Sequence, residues 1–223
     1  MLILKDLGEI SYQPAWDYQE KLLEELVLQS INRLPSEVES YLLYCDHPHV
    51  YTLGKSGSET NLLVNYLQLQ SIQAEFIKTN RGGDITYHGP GQVVGYPIIY
   101  LKKFHLGVKS YVDLLEETII RTIAGYGLQG ERLPGATGVW LDAKTKKARK
   151  ICAIGVKCSR WVTMHGFAIN VNTDLSYFKH INPCGFTDKA VTSLEQELGI
   201  KVNTDEVKMK IHSVLSDFLS EKL

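Results

Sequence analysis

Six short runs rich in β-branched and aromatic residues, 41–44, 50–53, 93–100, 138–141, 151–158 and 165–171, fill the middle of the chain. Several are joined by segments too short or too turn-rich to be helices, such as Asp46-His47-Pro48-His49. Parallel strands need crossovers of a dozen residues or more, so these connections favour a mixed or antiparallel sheet over a doubly wound one. Three amphipathic segments bracket the strands. The first follows Pro14 and carries Leu22, Leu23, Leu26, Val27 and Ile31 at helical spacing up to Leu34-Pro35. The second begins at Ser110, carries Val112, Leu115, Ile119 and Ile123, and ends at Gly125 and Gly127. The third starts at Asn203 with Glu206 in its first turn and buries Val207, Ile211, Val214, Leu215, Phe218 and Leu219. A short helix is expected from Ser193. The class is α+β: one domain, 1–223, with a mixed or antiparallel sheet flanked by helices.

Charge narrows the partners. With 24 basic and 25 acidic residues the net charge is −1, so no global field attracts nucleic acid or an anionic membrane. Cys45, Cys152, Cys158 and Cys184 are too few for a secreted disulfide framework, and none forms a C-x-x-C pair. The N-terminus places Lys5 and Asp6 after three apolar residues, which leaves no signal-peptide core, and a reduced cytoplasmic protein is expected.

Three segments can carry chemistry. The stretch from Arg81 to Gln92, RGGDITYHGPGQ, holds four glycines in twelve residues. It can let backbone approach a ligand, with Arg81, Thr86 and His88 as polar side chains, or it can be a tight hairpin whose glycines satisfy turn geometry. It is neither a Walker loop nor a G-x-G-x-x-G motif. Cys184 lies in Asn182-Pro183-Cys184-Gly185, an exposed turn in which the Gly185 amide can help hold an oxyanion if the thiol is a nucleophile; otherwise Cys184 is a small hydrophobe. Five cations fall within 144–150, and four read as a solvated turn; Lys150 abuts the apolar run 151–155, where desolvation lowers a lysine pKa. Cys152 and Cys158 read as core or half-core residues. Cys45, His47 and His49 alternate like ligands on one strand face, but Pro48 interrupts them and no second cluster completes a metal site.

Taken together, His47-Pro48-x-Val50-Tyr51-Thr52-Leu53-Gly54-Lys55, the 81–92 loop, Lys150-Ile151-Cys152-Ala153-Ile154-Gly155, His165-Gly166-Phe167-Ala168-Ile169-Asn170 and Asn182-Pro183-Cys184-Gly185 resemble the octanoyltransferases of lipoate biosynthesis. The resemblance covers nearly the whole chain in the family's order. It implies the fold of the biotin and lipoate protein ligases. It also implies transfer of an octanoyl group from acyl carrier protein to a lysine of lipoyl domains, in 2-oxoacid dehydrogenase E2 subunits or in glycine cleavage H protein. By the same resemblance Cys184 is the acyl-thioester nucleophile and Lys150 its partner. Arg81, Gly82, Gly83, Asp84, Ile85, Thr86, Tyr87, His88, Ala153, Ile154, Gly155, Gly166, Phe167 and Ala168 are implied to line the acyl site. The basic turn before Lys150 looks long for the family.

The chemistry is coherent with that assignment. A lysine ammonium favours the thiolate, can protonate the leaving thiol, and once neutral can take a proton from the incoming amine. No metal, cofactor or ATP is expected, because a thioester is already activated. Cations at Lys102, Lys103, Lys109 and 144–150 are expected to guide an acidic carrier protein. The rivals are an ATP-dependent lipoate or biotin protein ligase, which has no need of a nucleophile at Cys184, and a non-catalytic acyl-protein binding module.

Overall fold

The computed structural model describes residues 2–182 and 190–223. In chain order the elements are β1 (Ile3–Glu9), α1 (Tyr12–Asn32), β2 (Ser40–Asp46), β3 (Val50–Leu53), α2 (Tyr66–Ser71), β4 (Glu75–Lys78), β5 (Ile85–His88) and β6 (Gln92–Ile99). There follow α3 (Val108–Ala124), β7 (Glu131–Leu133), β8 (Ala136–Leu141), β9 (Arg149–Ser159), β10 (Val162–Asn170), β11 (Ala190–Val191), α4 (Leu194–Leu198) and α5 (Thr204–Ser220).

Among the described residues, the larger sheet has the order β1-β2-β6-β10-β9-β8-β7, with β11 beside β9. The β1–β2 and β11–β9 pairs are parallel and the rest antiparallel, the mixed sheet that the short connections imply. A smaller sheet, β4-β3-β5, stands apart. The Asp46-His47-Pro48-His49 corner therefore carries the chain from one sheet to the other, which its length alone does not reveal.

Alternation along β6 creates the layers, since successive side chains of a strand point to opposite faces. Val94, Tyr96 and Ile98 pack with Leu22, Leu26 and Val27 of α1. Val93 and Ile99 join the opposite core with Leu115, Ile119 and Ile123 of α3 and Ile211, Leu215 and Leu219 of α5. The small sheet has its own core around Tyr51, Leu53, Ile85 and Tyr87. Among the described residues no helix is long and apolar enough to cross a membrane.

Helix ends follow local chemistry. Asn203 caps α5, accepting from the amides of Asp205 and Glu206, and the Ser193 hydroxyl accepts from the Gln196 amide at the start of α4. Helix α1 starts at Tyr12, ahead of Pro14, because proline is tolerated in a first turn whose amides have no intrahelical acceptor. Ile31, expected on the buried stripe, is 69% exposed. Helix α3 starts at Val108, two residues before the expected Ser110, whose hydroxyl instead accepts from the Gly107 amide. Strands β1, β4, β5, β7 and β11 and helix α2 are additions to the sequence-based expectation.

Leu115 is fully buried between α3 and the sheet. Leu115→Ala should lower unfolding free energy by about 2–5 kcal/mol, seen as a lower urea midpoint at unchanged slope. A loss below about 1 kcal/mol would show that α3 does not seal this core.

Candidate active site

A cavity of about 250 Å³ lies between the larger sheet and the 81–88 segment. Strand β9 supplies Lys150, Ala153, Ile154 and Gly155, and β10 supplies His165, Gly166, Phe167, Ala168 and Asn170. Arg81, Gly83, Asp84, Ile85, Thr86 and His88 face them, and Tyr12, Gln92, Tyr96 and Trp140 are among the other wall residues. Gly155 is what lets the loop seat on β9: a Cβ there would stand 2.7 Å from the Gly82 carbonyl oxygen, while the Gly82 amide donates to the Val156 carbonyl at 2.9 Å.

Lys150 reaches the cavity through a β-bulge. Val139 pairs with Cys152 and Trp140 with Lys150, so Ile151 is the extra residue, and Ile151 and Cys152 both enter the α3/α5 core. Without that insertion Lys150, three residues from Ala153, would point to the opposite face. Its ammonium donates to the Thr137 carbonyl at 3.2 Å and lies 4.7 Å from the centre of the Trp140 ring.

Behind the cavity runs a hydrogen-bond chain with a single direction. Arg81, 7% exposed, donates from Nε and Nη2 to the Thr52 hydroxyl oxygen. His88 Nδ1 faces the Gln92 side-chain oxygen at 2.9 Å and must donate to it, so Nε2 accepts from the Thr52 hydroxyl at 3.2 Å. The Gln92 amide donates to the Asn170 oxygen at 2.9 Å, and the Asn170 amide to the Thr192 carbonyl at 2.9 Å. The Thr192 backbone amide then donates to the carbonyl of Lys150 at 2.9 Å. The chain thus ties the 81–88 segment to the strand that carries Lys150.

The lipoyl protein ligase A/B catalytic domain matches residues 11–216. The chain belongs to that family, on its octanoyltransferase branch. It is 54% identical over 223 residues to an octanoyltransferase of Bacteroides thetaiotaomicron, covering 99% of this chain and 96% of that protein. To the octanoyltransferase of Flavobacterium johnsoniae it is 56% identical over 213 residues, covering 93% and 92%. Among solved structures, a bipartite lipoate protein ligase from Thermoplasma acidophilum superposes with a TM-score of 0.71 at 16% identity, covering 98% of this chain and 83% of that one. Biotin protein ligase from Aquifex aeolicus gives 0.54 at 15% identity, covering 99% and 70%. These two share the fold.

Of the residues expected at the acyl site of this octanoyltransferase, Gly82 and Tyr87 do not line the cavity. Gly82 spends its backbone groups holding the loop, its carbonyl accepting from Arg81 Nη1 at 3.1 Å. The Tyr87 side chain alternates away from His88 into the small-sheet core, against Tyr51 and Tyr177. Arg81, Gly83, Asp84, Ile85, Thr86, His88, Ala153, Ile154, Gly155, Gly166, Phe167, Ala168 and Lys150 line it. Cys184 lies outside the described residues. Tyr12, Gln92, Tyr96, Trp140 and Asn170 are wall residues that sequence reading missed, and Tyr12 has no local signal, being brought to His165 from 153 positions away.

The basic turn also divides differently. Lys144, Lys146 and Lys147 are exposed, but Arg149, expected to be solvated, pairs with Asp142 and with both carboxylate oxygens of Glu197 at 2.6 Å. Lys103, expected as a docking cation, is buried and donates to the Val38 carbonyl at 2.5 Å. Cys45 packs in the α1-side core, while His47 bonds Tyr96 and His49 stacks on Tyr177, so the three do not converge. Among the described residues no cluster of three or more metal-ligating side chains occurs. Burial pushes the thiols of Cys45, Cys152 and Cys158 up, Cys45 to about 12, which disfavours thiolates there.

Burial holds two imidazoles neutral. His88 is pushed down to about 3 by desolvation, then by His47 and Arg81; His165 is pushed down to about 3 by desolvation, then by Arg81 and Lys157. Unfolded histidines bind protons below about pH 6.5, whereas these folded ones do not until about pH 3, so their stabilisation is present above 6.5 and lost as pH falls. Each should contribute a fall of about 1.4 kcal/mol per pH unit across that window. Urea titrations should show stability declining between pH 6 and 5, above the range in which carboxylates take up protons; a flat profile there would show that the rings are charged in the fold.

Proposed function

We propose that this octanoyltransferase takes its octanoyl group from acyl carrier protein, holds it as a thioester on Cys184, and delivers it to a lysine of a lipoyl domain. The acceptors are the lipoyl domains of 2-oxoacid dehydrogenase E2 subunits and glycine cleavage H protein, and the whole chain, 1–223, acts as one catalytic domain in the cytoplasm. The observation that carries the reading is Lys150, turned by the bulge into a largely apolar cavity beside β11. Val191 pairs with Lys150, so the chain is beside the lysine backbone seven positions after Cys184, 191 − 184 = 7.

In the first half-reaction the Cys184 thiolate attacks the donor thioester carbon. A carbon–sulfur bond forms to Cys184 and the one to the pantetheine breaks, and the departing sulfur takes its proton from the Lys150 ammonium. In the second, neutral Lys150 takes a proton from the acceptor ammonium, the amine attacks the acyl carbon, and Cys184 leaves as thiolate. The second amine proton passes to solvent. Lys150 ends as the ammonium that stabilises this thiolate. No nucleotide or metal enters, because the thioester supplies the driving force. The exposed Lys102, Lys109, Lys144, Lys146 and Lys147 are the cations available to attract an acidic carrier protein.

Incubation with octanoyl-carrier protein should add one octanoyl group to Cys184, seen by intact mass and peptide mapping, equally with and without ATP, and a lipoyl domain should remove it. An active protein without the adduct, or one that needs ATP, overturns the reading. Lys150→Ala should reduce transfer by about 10²–10⁴-fold with the fold retained; near-normal turnover would remove Lys150 from the chemistry.

A further inference from the structure

Among the buried charges that the mechanism does not use is a carboxylate. Glu116 lies in α3 on the side of the sheet away from the cavity, and it is 6% exposed. One carboxylate oxygen accepts from Arg132 Nε at 3.1 Å; the other accepts from the Gly138 backbone amide at 2.9 Å. A buried ion pair is weak evidence of a gain in stability, because desolvation offsets the attraction, and Arg132 is itself 43% exposed at the side chain. The Gly138 contact is different. The Gly138 N–H and the Thr137 carbonyl belong to one planar peptide group, and that carbonyl accepts from the Lys150 ammonium at 3.2 Å. Chains of hydrogen bonds polarise one another, so a carboxylate on the N–H strengthens the carbonyl as an acceptor.

Only glycine fits at position 138. Gly138 has φ +123°, and a Cβ there would stand 2.4 Å from the Cys152 carbonyl oxygen. The β8–β9 register runs only from Leu141 to Val139, so the 137–138 peptide lies beyond its end, and its two polar groups bond side chains, the N–H to Glu116 and the carbonyl accepting from Lys150. We propose that Glu116 is a positioning residue, which orients the Thr137–Gly138 peptide from behind the sheet and thereby fixes the Lys150 ammonium in the cavity. This inference rests on Lys150 acting as the acid and base described above.

The test measures kcat and KM for octanoyl-carrier protein in Glu116→Leu, Glu116→Gln and Arg132→Met. Misplacing a reacting group by about 1 Å can cost about 10²-fold, so Glu116→Leu should lose about 10–100-fold in kcat with KM within about two-fold of wild type. Glu116→Gln keeps an oxygen acceptor for Gly138 and should recover to within about five-fold of wild-type kcat. Arg132→Met leaves the Gly138 bond in place and should keep kcat. Wild-type kcat in Glu116→Leu, a loss carried by KM alone, no recovery in Glu116→Gln, or an equal loss in Arg132→Met each overturns the proposal. If Glu116→Leu does not fold, the Gly138 amide resonance decides: it should shift in Glu116→Gln and not in Arg132→Met, and no shift in either overturns the idea. The two levels fail separately. A wild-type protein that takes no octanoyl group onto Cys184 removes the mechanism itself, whereas normal acylation with full turnover in Glu116→Leu removes only the role of Glu116.

Discussion

A guanidinium taken out of water must have its N–H groups satisfied, and much of the site is arranged around meeting that demand for Arg81. Thr52 meets it with both its hydroxyl and its carbonyl oxygen, on Nη2 at 2.9 and 2.5 Å. Because the Thr52 oxygen receives the Arg81 donors, its own hydrogen points to His88, and the order is then set along Gln92 and Asn170 to Thr192. A reversal at any member would leave a buried donor facing a donor. The chain therefore has one arrangement, and with it come a fixed tautomer for His88 and a rigid link between the small sheet and β9.

That rigidity gives the bulge at Ile151 its consequence. One inserted residue turns Lys150 from the core face to the cavity face, and the register on both sides holds it there: Trp140 on β8 and Val191 on β11. Around it, Arg149 is clamped by Glu197, which also accepts from the Thr192 hydroxyl at 2.5 Å, so the strand carrying Lys150 and the segment following β11 move as one body. The basic turn is thus divided by function. Its lysines before Arg149 face solvent, Arg149 ties elements together, and Lys150 meets the cavity.

Most of the strong elements were legible because their signals are local. The alternating apolar runs became β2, β3, β6, β8, β9 and β10, and the caps at Asn203 and Ser193 marked α5 and α4. The elements that were not legible borrow their structure. Strand β11 is two residues long and exists because the Arg149–Lys150 edge is there to pair with it, and β5 is hidden in a glycine-rich stretch that reads as a loop until β3 provides its partner. Likewise Ile31 keeps helical spacing with the buried Val27 on α1, yet it is exposed, since periodicity does not say where a sheet ends.

The sequence by itself determined the mixed α+β class, the helix caps at Asn203 and Ser193, the near-neutral charge, and the set of motifs by which Lys150, Cys184 and the 81–88 segment are singled out. Each depends on neighbours a few residues apart or on residue identity. Only the tertiary structure decided that Tyr87 turns away while His88 turns in, that Tyr12 and Asn170 join the wall, that Arg149 is a clamp, and that Glu116 reaches, from behind the sheet, the Thr137–Gly138 peptide that accepts from Lys150. The reason is physical. A bulge, a sheet order or a buried partner is fixed by contacts between residues far apart in sequence, and no local pattern encodes which of them will meet.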